Sequence, residues 1–471
     1  MYSLEQISHV SSQRISQANL RLIWRVCRDL LFLHSEVVVV GKNGGGKTRF
    51  DLGEQLRPKN FESGAWVQAT PLRACDINSP TSNIHIQYST STSHLIVESS
   101  SYQHDSIKMA APEVHHLFHH PIADHSFSAD KQTLAVARDT SVELYGRTGA
   151  GFKLKDELKG HDKTVTSVDI ALKSGRIVTC SQDRNALVWE PSPTGYKPTL
   201  VLLRINRAAT FVRWSPSEEK FAVGSGARVI AVCYFEEEND WWVSKHIKKP
   251  IRSTITTVAW HPNSVLLAAG STDAHARVFS SFIKGVDTRP EPGVWGERLP
   301  FNTVCGEYLN NSAGWVHAVS FSPSGDALAF AAHDSSITVV YPNGADQPPR
   351  AVVSVSTQLL PFMSLIWNGE SEIIAAGYDC EAYRFKGSEG GWQLTGSLES
   401  KGRPGLGDTR EESAFNMFKQ MDLKGKTKDD TQLKTVHQNT ISTIRVYEAS
   451  GGAVKKFSTT GVDGRIVIWN A

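Results

Sequence analysis

The 471-residue sequence predicts an all-β fold, a seven-bladed β-propeller over residues 109–471. Three observations predict it. After residue 120 a unit recurs: an aromatic, a turn, an apolar strand, an Asp and a second short strand. Its basal spacing of 43–47 residues is that of a four-stranded blade. Between the markers the residues alternate as strands do, as in Arg176-Ile-Val-Thr-Cys-Ser and Arg465-Ile-Val-Ile-Trp.

Composition narrows the function classes. Hydrophobic residues are 40% and charged residues 21%, enough for a packed core. Lys plus Arg is 50 against 48 Asp plus Glu, so a dominant nucleic-acid footprint is excluded. The six Cys form no CxxC pair, which argues against a disulfide scaffold or zinc ribbon and for a reducing compartment. The longest uncharged run, 351–369, contains Ser354, Ser356, Thr357, Gln358 and Pro361. It reads as two strands and a turn, so no membrane insertion is expected.

Residues 1–108 read as a largely unstructured N-terminal extension, and the Ser/Thr-rich stretch 79–101 as disordered. The first 35 residues lack a secretory pattern. Gly41-Lys-Asn-Gly-Gly-Gly46-Lys47-Thr48 matches the phosphate-binding pattern GxxxxGK[ST]. In that motif Lys47 would reach phosphate oxygens and Thr48 a magnesium ion. Pro58 follows within ten residues of the motif, which makes the required helix doubtful, and too few residues precede the propeller for several βα units. The match reads as chance, and no cofactor or metal is expected. His115, His116, His119 and His120 have spacing that suits zinc on a helix, but Pro121 follows at once, so they read as a strand.

The blades follow in order. The first aromatics are Phe127, Trp214, Trp260, Phe321 and Trp367. The Asp position is occupied at 139, 183, 226 (a Gly), 273, 334, 379 and 463. Tyr145, Trp189, Phe279, Val340, Phe385 and Trp469 each stand six residues after one of the six Asp. The intervals 273–334 and 379–463 are long, which implies two insertions. The last unit ends with its third strand at Trp469, leaving blade seven one strand short. The segment 114–120 is the natural donor, since an open edge invites aggregation.

The pattern resembles the WD-repeat family. The fullest unit is Gly160-His161, Thr179, Asp183 and Trp189, and the last repeats it with His437, Thr459, Asp463 and Trp469. The resemblance implies that each set forms a buried hydrogen-bonded chain pinning the strands of a blade. A buried carboxylate at a tight turn must be paired or costs several kcal/mol.

The larger insertion, 399–434, lies between blades six and seven. A Gly/Pro-rich linker, 401–407, opens it. Thr409 and Glu412 then form a capping box. Ala414, Met417, Phe418 and Met421 fall at i, i+3, i+4 and i+7, with Glu411, Phe415 and Leu423 around them. This predicts a short helix with a broad apolar face. Either it packs back on the propeller or it docks into a partner's groove with Phe and Met as anchors, the reading that flexible linkers favour.

From Met109 onward the chain is similar to the family of WD-repeat subunit 1 of the actin-related protein 2/3 complex. The carrying segments include Met109-Ala-Ala-Pro-Glu-Val-His-His-Leu-Phe, Cys180-Ser-Gln-Asp-Arg-Asn, Glu238-Asn-Asp-Trp-Trp-Val-Ser-Lys-His-Ile and the insert's Ser413-Ala-Phe-Asn-Met-Phe. Residues 1–108 match nothing in that family and read as an accessory arm or an over-extended gene model. The resemblance implies a non-catalytic scaffold. The complex starts a daughter actin filament from the side of an existing one. Implied partners are two actin-related subunits, the small subunits, the actin filament and nucleation-promoting factors. The implied location is the cytoplasm, in cortical actin patches. On this reading Glu411, Phe415, Met417, Phe418, Met421 and Leu423 carry the insert's contacts. The alternative is a generic WD-repeat adaptor, such as a ubiquitin-ligase substrate receptor.

Overall fold

The computed structural model describes residues 111–117, 120–149, 151–297, 299–344, 347–399 and 433–471, and the backbone of 38–43, 46–51, 83–88 and 95–100. The chain divides into two compact units, Met1–Lys108 and Met109–Ala471.

In the first unit the described backbone forms two antiparallel hairpins. Val38–Asn43 pairs with Gly46–Asp51, and Asn83–Tyr88 with Leu95–Ser100. The second hairpin lies within the stretch 79–101 that the sequence reads as disordered. Ile84, Ile86 and Tyr88 alternate along the sequence, and so do Leu95 and Val97, a period that suits a strand. Serine and threonine content hid that period.

In the second unit seven four-stranded antiparallel sheets follow one another in sequence order. A single blade has two apolar faces and cannot bury both alone, so each must stack on a neighbour. The buried residues form seven clusters, and each spans one seam between blades. One joins Val178, Val188 and Leu203 of blade two to Trp214, Phe221 and Trp242 of blade three. Another joins Ile374 and Ala382 of blade six to Ile444, Phe457 and Trp469 of blade seven. The insertion of blade four, 281–303, contributes Trp295, buried against Phe321 of blade five.

The outer strand of blade seven is Glu113–His116, paired antiparallel with Arg465–Asn470. Val114 stands opposite Val467 and His116 opposite Arg465. His115 and His116 are thus strand residues; His119 lies outside the described residues. Two residues of blade one fasten the seam further. Arg147 of blade one binds Glu113 at 2.9 Å and the Tyr447 hydroxyl at 2.6 Å. His125 of blade one lies 2.9 Å from Thr443 Oγ1 and 2.8 Å from Ser458 Oγ, both in blade seven.

The inner strands of blades two to seven share a bulge at their second residue, at Thr166, Thr210, Thr256, His317, Met363 and Ser442. A bulge re-aims its side chain. Thr166 donates to Ala209 O at 3.1 Å, Thr210 to Ile255 O at 2.7 Å and Ser442 to Ile122 O at 3.0 Å, while Thr256 donates to Val316 O. Each of these hydroxyls clamps the next blade. At blades five and six the position holds His317 and Met363 instead.

Candidate partner-binding surface

The turn between the second and third strands holds the repeat Asp in every blade but the third, where Gly226 takes its place. The Asp carboxylate accepts the N–H two residues on: Asn185 from Asp183 at 2.9 Å, His275 from Asp273 at 3.2 Å, Arg465 from Asp463 at 3.1 Å. The residue between adopts a left-handed φ, as at Arg184, Ser335, Cys380 and Gly464. Asp suits the position because its short side chain mimics a backbone turn.

Blades two and seven extend this turn into a chain. His161 Nδ1 lies 2.8 Å from Asp183, and its Nε2 2.8 Å from Thr179 Oγ1, to which Trp189 Nε1 donates at 3.0 Å. In blade seven His437 lies 3.2 Å from Asp463 and 2.8 Å from Thr459, and Trp469 donates to Thr459 at 2.8 Å. Burial would raise the Asp463 carboxyl, but the His437 hydrogen bond and charge hold it below its ordinary value. The other blades use different donors. Asp273 takes Arg277 at 2.9 Å, Asp334 takes Ser336 at 2.6 Å, and Asp379 takes the Leu360 N–H at 2.7 Å.

A second network escaped sequence reading. Asp124, Asp169, Arg213 and Arg445 stand on or beside the inner strands of blades one, two, three and seven. Arg213 binds Asp124 at 2.8 Å, Arg445 binds Asp169 at 2.8 Å, and Arg445 reaches Asp124 at 3.3 Å. Ser167 donates to Asp124 at 2.6 Å. Burial pushes the Asp124 carboxyl up, but Arg213 and Arg445 outweigh it and hold the group well below the carboxylate range. Asp169, Arg213 and Arg445 are each the fifth residue of their inner strand. Superimposing the repeats would have lined up these charges in otherwise apolar strands.

The repeat turns and the connections between blades lie on one face. In an antiparallel blade the second-to-third turn and the end of the outer strand share one end, so the loops linking blades lie there too. At blades two to four this face exposes Lys163, Arg184, Arg207, Arg228, Lys249 and Arg252. Among nearby acids, Asp183 is held by His161 and Asp273 by Arg277, while Asp162 is exposed. The insertion 399–434 leaves the same face at Glu399 and returns at Leu433. Glu411, Phe415, Met417, Phe418, Met421, Leu423 and the expected helix lie outside the described residues.

Gly41, Gly46, Lys47 and Thr48 lie on the first hairpin, where Gly41 pairs with Thr48 and Lys42 with Lys47. A phosphate-binding loop needs the residues after Lys-Thr to open a helix; here Gly46–Asp51 is a strand. Among the described residues no group of three or more His, Cys, Asp or Glu could hold a metal ion, and no helix is long and apolar enough to cross a membrane.

Seven stacked blades, six of them with the repeat Asp, define a WD-repeat propeller, a class that presents shaped faces to other proteins. Its family model, WD domain, G-beta repeat, matches residues 152–190 and 244–280. Curated relatives extend the match to about three quarters of the chain. Actin-related protein 2/3 complex subunit 1 of Schizosaccharomyces pombe is 52% identical over 377 residues, covering 77% of this chain and 100% of that protein. Subunit 1A-A of Xenopus laevis is 47% identical over 361 residues, 76% of this chain and 96% of that protein. Subunit 1 of Saccharomyces cerevisiae is 44% identical over 378 residues, 76% and 96% respectively. The chain belongs to the family of actin-related protein 2/3 complex subunit 1.

Proposed function

We propose that this protein is a non-catalytic scaffold subunit of an actin-related protein 2/3 complex, which starts branched actin filaments from the side of an existing filament. The observation that carries this is the 52% identity extending over the full length of the S. pombe relative. The propeller holds the actin-related and small subunits of the complex and helps receive nucleation-promoting factors. Its exposed basic arc at blades two to four suits an anionic partner, because clustered charge of one sign steers association. Its location is the cytoplasm, at cortical actin patches. The relatives' names do not favour a generic adaptor. Affinity purification of the tagged chain should recover two actin-related proteins and the small subunits in near-equal amounts. Their absence from the eluate overturns the reading.

The insert's apolar residues, on the helix the sequence predicts, contact the filament or its partners. Apolar and aromatic anchors dominate such interfaces. Replacing Phe415 and Phe418 by Asp should leave the thermal midpoint unchanged and lower branch formation in a pyrene-actin and microscopy assay about tenfold or more. A fall in thermal stability like that of a core substitution would instead favour packing of the insert on the propeller.

A further inference from the structure

On the face that carries the basic arc, blades five and six differ in kind. Their connections there, 310–315, 333–335, 357–361 and 378–381, contain no Lys or Arg. They contain Asp334, Asp379 and Glu381. Asp379 and Glu381 are buried, at 6% and 8% exposure. The same connections carry an aromatic rim. Trp315 is 53% and Tyr378 37% exposed, large values for such residues. The His333 ring bridges them, 5.7 Å from Trp315 and 6.5 Å from Tyr378. His317 Nε2 lies 2.8 Å from His333 Nδ1. His317 makes no inter-blade clamp of the kind Thr166, Thr210 and Thr256 make; it supports the rim instead.

The charge arrangement selects the occupant. Aromatic faces attract cations through their ring quadrupole, and Trp does so best. Buried carboxylates on the same connections project a field that solvent screens weakly. Burial raises the Asp379 carboxyl to about 6, and a cation brought near it favours its ionised form. Burial, then the neighbouring His333, lowers His317 to about 4, so that ring is neutral and does not repel one.

We propose that the Trp315–His333–Tyr378 rim is a docking site for a Lys- or Arg-bearing segment of a protein partner, distinct from the basic arc at blades two to four. The two sectors give the face two opposite electrostatic preferences and so fix the direction in which a partner lies across it. The site stands independently of the insert's role.

The test uses the full chain and two fluorescent probe peptides, one alternating Lys with Gly and one alternating Glu with Gly, read by polarisation after mutation of the rim. The Lys peptide should weaken about fivefold or more in Trp315→Ala and in Asp379→Asn, and stay within about twofold in Trp315→Phe. The Glu peptide, held by the basic arc, should be unaffected by all three. Thermal melts check that each variant is folded. Equal binding of the Lys peptide to wild type and to folded Trp315→Ala overturns the proposal. So does tighter binding after deletion of 400–432, because the occupant is then the insert's own Lys424, Lys426 and Lys428.

Discussion

Thr179 and Thr459 show how much one hydroxyl can organise. Each lies fully buried and meets a His and a Trp within 3.0 Å. Replacing Thr459 by Val leaves His437 and Trp469 each short of a partner, which should cost about 1–3 kcal/mol in urea unfolding. The double variant Thr459→Val with Trp469→Phe should recover part of that loss, because fewer polar groups are then left unpaired. His125 governs a pH effect. Burial, then the charge on Arg445, pushes its ring down to about 3. A depressed folded value means that its contribution is full above pH 6.5 and is lost as pH falls from there toward 3. Stability should fall in that window by up to about 1.4 kcal/mol per pH unit from this group. His125→Gln should show a slope shallower by about one proton; an unchanged slope would remove His125 as the cause. The two His-Thr-Asp-Trp sets were visible in sequence because their spacing is fixed by the strand–turn–strand unit. His125 was not, since its partners Thr443 and Ser458 lie 318 and 333 residues away.

At the scale of elements, the blades were legible because their period and alternation are local properties of the chain. The positions Phe127, Trp214, Trp260, Phe321 and Trp367 close the inner strands of their blades. The two strands and turn read in 351–369 are Ala351–Ser356 and Phe362–Trp367. Contacts between blades were not legible, because no local pattern says which carbonyl a hydroxyl will meet. The bulge residues Thr166, Thr210 and Thr256 read as ordinary strand threonines until their neighbours are in place. The closing strand makes a direct prediction. Deleting 109–117 exposes the edge of Arg465–Asn470 and leaves Arg147 without Glu113. The truncated protein should melt at least several degrees lower and elute partly as oligomers in size-exclusion chromatography. A monomer of unchanged midpoint would show that the strand adds nothing to the ring.

For the molecule as a whole, the cluster of Asp124, Asp169, Arg213 and Arg445 ties four blades together near the ring's centre. Arg445→Met keeps the volume but leaves two buried carboxylates short of a cation. The expected cost is about 3–5 kcal/mol in denaturant unfolding, and Asp169→Asn added to it should offset part. The near balance of 50 basic and 48 acidic residues gives no hint of the divided face. Net charge averages over a basic arc and an acidic sector that only the fold sets side by side. The closing strand also bears on biosynthesis. Glu113–His116 leaves the ribosome before any complete blade, yet its partner Arg465–Asn470 follows every other strand of the ring. Until then the nascent chain carries up to six stacked blades, an unpaired early strand and an exposed edge. Such late, long-range pairing folds slowly and is prone to misassembly. The order of the strands therefore makes closure of the ring a late step, one that waits for Arg465–Asn470.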